Sequence, residues 1–165
     1  QGVDQVRREG GIVLAVAVQG HDQRGAGRQD PGADGAALAG VLAVGETATG
    51  QIRAIPITGG EVLGKDIAGR VIPGGADWQR TRSDGVTEIE ATYALELADK
   101  TLVKVVNRGL IVPAAPDSPA YFRTAVEFTA PNGDWQWLNE AIFLCSAGGA
   151  QGRPGTVQVD VYRLV

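Results

Sequence analysis

The chain has 165 residues with 15 basic and 19 acidic side chains, and its net charge of −4 provides no broad basic face for nucleic acid. A chain of this length is expected to form one domain that buries roughly two thirds of its unfolded surface without help from a disulfide or a metal. Its 24 glycines and 5% aromatic residues indicate many turns and small side chains rather than helix.

The single cysteine, Cys145, lies in an apolar run, where a small buried side chain is the usual role. A catalytic thiol would need a histidine partner, and the only histidine, His21, lies in a segment rich in Gly, Gln and Arg. One His and one Cys also supply too few ligands for the usual zinc, iron or copper sites. We therefore expect no thiol chemistry, no metal and no cofactor.

Residues 1–36 are predicted to be an irregular N-terminal segment, because they are rich in turn-forming and polar residues apart from the apolar run 12–18. That run is far shorter than the roughly 20 residues of a membrane helix. Arg7 and Arg8 before it suggest a signal peptide, but Glu9 intervenes and the run is short for one. A cytoplasmic protein without a membrane partner is expected.

From Leu38 onward, short apolar or alternating segments are separated by turn signals, which is typical of an antiparallel all-β domain. The predicted strands are residues 38–44, 51–58, 67–72, 87–97, 102–107, 121–129, 135–145 and 156–164. Eight is the number at which an up-and-down sheet closes into a barrel that holds one small ligand. Because most connections are short, we predict an eight-stranded antiparallel up-and-down barrel over residues 37–165, with a β-sandwich as the alternative.

The clearest strand is residues 87–97, where Ile89, Tyr93 and Leu97 fall on one face and charged or small side chains on the other. The short connection Asp99-Lys100 then predicts a hairpin with residues 102–107.

The most unusual stretch is residues 72–85, where two glycines precede an acid, an indole, an amide, a guanidinium and a second acid. Glycine allows backbone conformations and close approaches that other residues do not. The stretch contains more chemistry than a hairpin loop requires, so it is interpreted as the mouth of the barrel. The alternative is a Gly-rich corner stabilised by a structural Asp–Arg ion pair.

Three motifs, Pro73-Gly-Gly-Ala-Asp-Trp-Gln79, Tyr121-Phe-Arg123 and Trp137-Leu-Asn139, resemble in their order the domain-of-unknown-function family thirty-two thirty-seven (DUF3237), over about residues 45–165. The resemblance implies a small bacterial protein with a lipocalin-like calycin barrel, and it implies little about function. The arginine usual in the fourth strand of that family is absent here, where the chain has Glu90-Ala-Thr-Tyr93, so no role of that arginine transfers.

One ligand site at the barrel mouth is predicted, because the nine side chains named next combine polar ends with aromatic surface. The candidates for catalysis are Asp77, Glu127 and Arg123, and those for ligand binding are Trp78, Gln79, Arg82, Tyr93, Trp137 and Asn139. A buried carboxyl would have a raised pKa and could exchange a proton near neutral pH, and an arginine would hold an anionic oxygen. The alternatives are a structural Arg123–Glu127 pair and a structural hydrogen bond from Asn139.

This set of residues fits a cofactor-independent enzyme of isomerase, cyclase or hydratase type acting on a small aromatic or polyketide-like compound. It fits equally well a non-catalytic carrier or sensor of a small hydrophobic ligand, because it contains no recognisable nucleophile–base pair. A third hypothesis, an assembly module with a filled barrel, predicts no cavity. The expected partner is a small organic ligand, and the sequence leaves a homo-oligomer open.

Overall fold

The computed structural model describes residues 9–18 and 40–165. Most of these residues lie in antiparallel strands joined by short turns. Within the described ranges the elements are β1 (Glu9–Val18), β2 (Leu42–Thr47), β3 (Gly50–Gly64), β4 (Ala68–Thr81), β5 (Thr87–Leu97), β6 (Leu102–Val112), β7 (Tyr121–Thr129), a 3-10 helix (Gln136–Glu140), β8 (Phe143–Gly149) and β9 (Thr156–Arg163). None of the described segments is a helix long and apolar enough to cross a membrane.

Eight of the strands form a closed antiparallel barrel. Each strand from β3 to β9 pairs with its neighbour in the chain, and β1 closes the cylinder by pairing with both β9 and β3. The predicted all-β, eight-stranded antiparallel barrel is confirmed. A closed barrel leaves no free sheet edge among these eight strands, so their backbone hydrogen bonds are satisfied within the sheet.

The strand that the sequence analysis missed is β1. Its residues Ile12, Leu14 and Val16 are buried in the barrel core, while Val13 and Ala15 are only partly buried. Both faces are apolar, so the run had no visible alternation and was assigned to the irregular segment. That assignment is wrong for residues 9–18. Residues 1–8 and 19–36 of the predicted segment lie outside the described residues, as does His21.

The first predicted strand, 38–44, is observed as β2 at residues 42–47, and it is not one of the eight barrel strands. It pairs with the first half of β3, from Gly50 to Ala54, whereas β1 pairs with the second half. The predicted number of barrel strands is therefore right, but β1 takes the place that was given to β2.

The barrel bends at glycine bulges in β3 and β4. The register of β3 shifts between Ile57 and Glu61, where Gly59 and Gly60 both have positive φ. The sequence analysis ended the strand at these glycines, but β3 continues through them to Gly64. The bulge bends the strand. The two halves of one long strand can thereby have different partners.

The matching irregularity in β4 lies between Ile72 and Ala76, and it includes Gly74 with φ 112°. The strand continues to Thr81, so most of the stretch 72–85 is strand rather than a loop at the mouth, which corrects the prediction. Residues 82–86 then form the hairpin turn to β5, in which Arg82 and Asp84 make an ion pair. An Asp–Arg ion pair, as in the structural alternative, is therefore present.

The predicted strand 135–145 begins only at Phe143. The residues before it form the 3-10 helix, which covers one end of the barrel and inserts Leu138 into the core at 1% exposure. Trp135 Nε1 donates a hydrogen bond of 2.7 Å to Asp99 Oδ2 in the β5–β6 turn. The sequence pattern that predicted a strand therefore belongs to a short helix with one buried face. We call the end of the barrel that this helix covers the closed end.

If β1 closes the barrel, truncating its most buried side chain should destabilise the fold. Leu14→Ala removes a side chain with 0% exposure and should cost about 2–5 kcal/mol of the free energy of unfolding. The partly buried neighbour provides the control, since Val13→Ala should cost less. Urea denaturation monitored by tryptophan fluorescence measures both. Equal, negligible losses would show that β1 does not contribute to the folded barrel.

Candidate functional site

A cavity of about 40 Å³ lies inside the barrel, with room for a few water molecules or the end of a small organic molecule. Its walls are mostly apolar, and its polar lining residues are Asp77, Gln79, Tyr93 and Asn107. The lining residues Ile111, Phe122 and Val157 are only partly buried. The cavity therefore approaches the barrel end where β6 ends and β7 begins, which we call the open end.

The strand register explains why these polar groups meet. Asp77 in β4 lies opposite Ala91 in β5, and Ala91 lies opposite Asn107 in β6. Directly paired residues share a face of the sheet, and neighbouring strands are about 4.8 Å apart. Asp77 and Asn107 therefore flank Ala91 on the inner face, and the small alanine side chain leaves space between them.

The neighbouring position on β4 is occupied by Gln79, which is 3% exposed and connects Asp77 to a cation. Gln79 Nε2 donates to Asp77 Oδ2 at 2.6 Å. Arg53 of β3, directly opposite Gln79 in the register, donates from Nε at 2.9 Å and from Nη2 at 2.6 Å to Gln79 Oε1. Arg53 is itself exposed, so the hydrogen-bonded chain runs from the surface to the interior acid.

Burial raises the pKa of the Asp77 carboxyl above its usual value, because desolvation penalises the carboxylate more than Gln79 and Arg53 stabilise it. Burial also raises the pKa of the Tyr93 hydroxyl, with smaller contributions from Cys145 and Asp77. Tyr93 therefore stays protonated and can donate a hydrogen bond. Among the described residues, Asp77 is the only acid that lines the cavity.

Several buried polar atoms in this region have no hydrogen-bond partner among the described residues: Asp77 Oδ1, Tyr93 Oη, Asn107 Oδ1 and Thr124 Oγ1. Buried polar groups are usually paired, so a cluster of unpaired ones requires an explanation. Three of the four residues line the same cavity. The arrangement can offer hydrogen bonds to a polar group that enters between apolar walls.

The structure does not bring the nine predicted site residues together. Asp77, Gln79 and Tyr93 lie inside the barrel. Trp78 points outward and is 51% exposed, since it alternates with its neighbours in β4. Arg82 lies at the β4–β5 turn.

Arg123 and Glu127 are also on the outer surface, because the opposite face of β7 carries the buried residues Thr124, Val126 and Phe128. Arg123 donates to the carbonyl oxygen of Phe122 at 2.8 Å and lies over the Tyr121 ring. No ion pair between Arg123 and Glu127 is found among the described residues. A single site that contains these two residues and Asp77 does not exist in this fold.

The last two predicted residues, Trp137 and Asn139, belong to the closed end. Asn139 accepts from the Ala130 amide at 2.7 Å and donates to the Ala130 carbonyl at 2.9 Å, so it holds the 3-10 helix against the end of β7. The Trp137 ring packs at 6.1 Å from the Phe143 ring. The hydrogen bond from Asn139 is therefore structural, as the alternative held.

Sequence reasoning missed Asn107 and Arg53 as members of the site. Asn107 could have been found from the β5–β6 hairpin, because its register places this residue opposite the inward-facing Ala91. No sequence pattern indicated Arg53, because its contact with Gln79 depends on the register between β3 and β4, which a glycine bulge shifts.

Cys145 is buried and unbridged, and burial raises the pKa of its thiol to about 11. It is therefore protonated near neutral pH. Among residues 9–18 and 40–165, no three His, Cys, Asp or Glu side chains are grouped as a metal site requires.

The fold and the cavity define a closed β-barrel with an acid in its interior. The chain belongs to the family described as Protein of unknown function (DUF3237), whose model matches residues 35–164. A UPF0311 protein of Rhodopseudomonas palustris is 37% identical over 137 residues, which cover 76% of this chain and 88% of the relative. The resemblance inferred from the motifs is confirmed.

Two solved structures show the same fold. A beta-barrel like protein from Acinetobacter baumannii is 25% identical, with a TM-score of 0.77 over 99% of each chain. A protein described as an enzyme from Penicillium herquei has a TM-score of 0.60 over 100% of each chain, but its 16% identity shows the fold alone. The lipocalin relationship, the cytoplasmic location and the oligomeric state stay predictions.

The raised pKa of Asp77 predicts how its replacement changes stability with pH. In the unfolded chain Asp77 titrates near 3.9, and in the folded barrel it titrates higher, so ionisation destabilises the fold as pH rises through the folded pKa. Asp77→Asn removes this penalty. The variant should gain thermal stability relative to the wild type at pH 8 and gain less at pH 4.

Asp117, which is exposed in the β6–β7 loop, provides the control. Asp117→Asn should change the melting temperature little at either pH. If Asp77→Asn changed the melting temperature equally at pH 4 and pH 8, the carboxyl would not be titrating as a buried group.

Proposed function

We propose that the protein binds one end of a small organic molecule in the cavity and catalyses proton transfer on it without a cofactor. The observation that carries the proposal is Asp77: its carboxyl lies in an apolar-walled cavity, its pKa is raised by burial, and its Oδ1 atom has no partner among the described residues. Perturbed acids in clefts are candidates for functional groups. Isomerisation, cyclisation and hydration are the reaction types that such an acid can serve.

Asp77 would act as general acid and base. A carboxyl whose pKa is raised by burial can give a proton to a carbonyl or alkene and recover one from an adjacent atom. Tyr93 would hold the substrate oxygen by donating from its unpaired Oη, whereas the unpaired Oδ1 of Asn107 is an acceptor and would receive a hydrogen bond from a hydroxyl or enol of the substrate. Donors fixed in a dry site stabilise charge that develops on such an oxygen.

The ligand would be neutral and largely apolar. No lysine or arginine of residues 9–18 and 40–165 lines the cavity, and the nearby cation, Arg53, is already hydrogen-bonded to Gln79. The partly buried Phe122 and Ile111 offer apolar surface on which the ring of a small aromatic or polyketide-like compound can pack. The enclosed 40 Å³ receives only one end of such a molecule, so the remainder would lie at the open end.

A non-catalytic carrier or sensor is the second candidate. A protonated Asp77 can donate a hydrogen bond to a ligand without transferring the proton. The neighbour from Penicillium herquei is described as an enzyme, which supports catalysis on this fold but gives no reaction.

Proton exchange on one-ring aromatic ketones and enones is the proposed assay, with the protein in D₂O and the α-protons followed by NMR. Exchange catalysed by the wild type should fall by about 10²- to 10⁴-fold in Asp77→Asn, because a general acid–base group is lost. Ligand-observed NMR should show that binding is retained.

Arg123→Ala is the matched control, because Arg123 lies on the outer surface. It should exchange protons at the wild-type rate. If Asp77→Asn is as active as the wild type, Asp77 is not the catalytic group. Binding of the ketones without any exchange would favour the carrier.

A further inference from the structure

The side chain of Gln79 is held between a surface cation and the interior acid, and this fixes its orientation. Arg53 has only donors, so the two hydrogen bonds from Nε and Nη2 must end on the amide oxygen, Oε1. The amide nitrogen, Nε2, then faces Asp77 and donates to Oδ2 at 2.6 Å. The usual ambiguity between oxygen and nitrogen in a glutamine side chain is removed by the arginine.

The fixed amide also distinguishes the two oxygens of Asp77. Oδ2 accepts a hydrogen bond from an N–H group, so on the neutral acid it is the carbonyl-type oxygen. The proton of the neutral acid is left on Oδ1, the oxygen with no partner among the described residues. We infer that Gln79 and Arg53 are positioning residues that keep the acid proton of Asp77 on Oδ1, where a ligand can receive it.

The charged and titratable groups around Asp77 are few. From β3, Arg53 is the cation whose charge acts on the carboxyl, and from β5 Tyr93 is close enough for the two groups to influence each other. Asn107 from β6 is uncharged, and Cys145 from β8 acts on Tyr93. Burial therefore sets the direction in which the Asp77 pKa is shifted, and Gln79 and Arg53 are the two side chains that oppose it.

The inference rests on the proposed function only for its catalytic consequence, because the position of the proton can be measured without any turnover. The measurement is the C=O stretch of protonated Asp77, isolated as the infrared difference between each protein and the same protein carrying Asp77→Asn. Titration of the labelled Asp77 carboxyl carbon by NMR gives the pKa in parallel.

Gln79→Leu removes the amide donor while keeping a side chain of similar length. The C=O stretch should move to higher frequency, because Oδ2 loses its hydrogen bond, and the Asp77 pKa should rise, because that hydrogen bond stabilised the carboxylate. Arg53→Met leaves Gln79 in place but frees its amide to rotate. It should raise the pKa and broaden the C=O band into more than one component.

The chain offers a matched control in Gln158, which donates to Asp160 at 3.0 Å across the same two-residue spacing, but from an exposed position. Gln158→Leu should leave the stretch and the pKa of Asp77 unchanged. If Gln79→Leu does not fold, Arg53→Met decides alone, and a C=O band that is neither shifted nor broadened in that variant would overturn the inference.

An unchanged C=O frequency in both Gln79→Leu and Arg53→Met would overturn the inference. Arg53→Lys keeps the charge and, like arginine, has only donors, so it should keep Gln79 oriented and the C=O band single. A band broadened as in Arg53→Met would show that the orientation of Gln79 requires the two-pronged guanidinium. Loss of proton exchange in Asp77→Asn tests only the proposed function. If that loss were absent, the infrared result on the position of the proton would still hold.

Discussion

The fold depends on how closely the backbones of neighbouring strands approach at the glycine bulges. A Cβ atom at Gly60 would lie 2.1 Å from the carbonyl oxygen of Ala15 in β1, and one at Gly75 would lie 2.5 Å from that of Thr92 in β5. Such distances are far below van der Waals contact, so both positions require glycine. The bulges bend β3 and β4 where the barrel must turn, and that bend brings β1 into register along the second half of β3. The glycine bulges therefore determine both the closure of the barrel and the shape of its interior.

The same bulge in β4 explains the position of the interior acid. Asp77 and Gln79 follow the bulge directly and point inward, where they lie opposite Ala91 and Ile89. The close packing of Gly75 against Tyr93, whose Cβ would be 2.6 Å from an added methyl group, sets the tyrosine beside this segment. An acid on a strand of a closed sheet is held more rigidly than one on a loop. The desolvation that raises the Asp77 pKa comes from the same apolar walls.

Much of the fold could be predicted from sequence, because half-buried strands alternate and tight turns have recognisable residues. The alternation of β5 and its hairpin with β6 are confirmed, although β6 continues beyond the predicted end at Asn107 to Val112. β1 could not be recognised, since Val13 and Ala15 on its outer face are as apolar as its inner face. The 3-10 helix was predicted to be a strand because its buried residue, Leu138, gives the same sequence pattern as the buried face of a strand.

The site was harder to predict than the fold, because residue types identify chemistry but only the register brings them together. The sequence indicated an acid at Asp77 and an amide at Gln79, and both side chains lie inside the barrel. The indole of Trp78 between them must then point outward, because successive side chains of a strand alternate between its faces. The pairing that gives the acid its character, Arg53 with Gln79, joins residues 26 positions apart across two bulged strands. A one-residue slip in either strand would have placed the arginine on the other face. The two ends of the barrel consequently differ. The side-chain amide of Asn139 is hydrogen-bonded to the backbone of Ala130 at the closed end, while three of the four residues that have a buried polar atom without a partner among the described residues line the cavity.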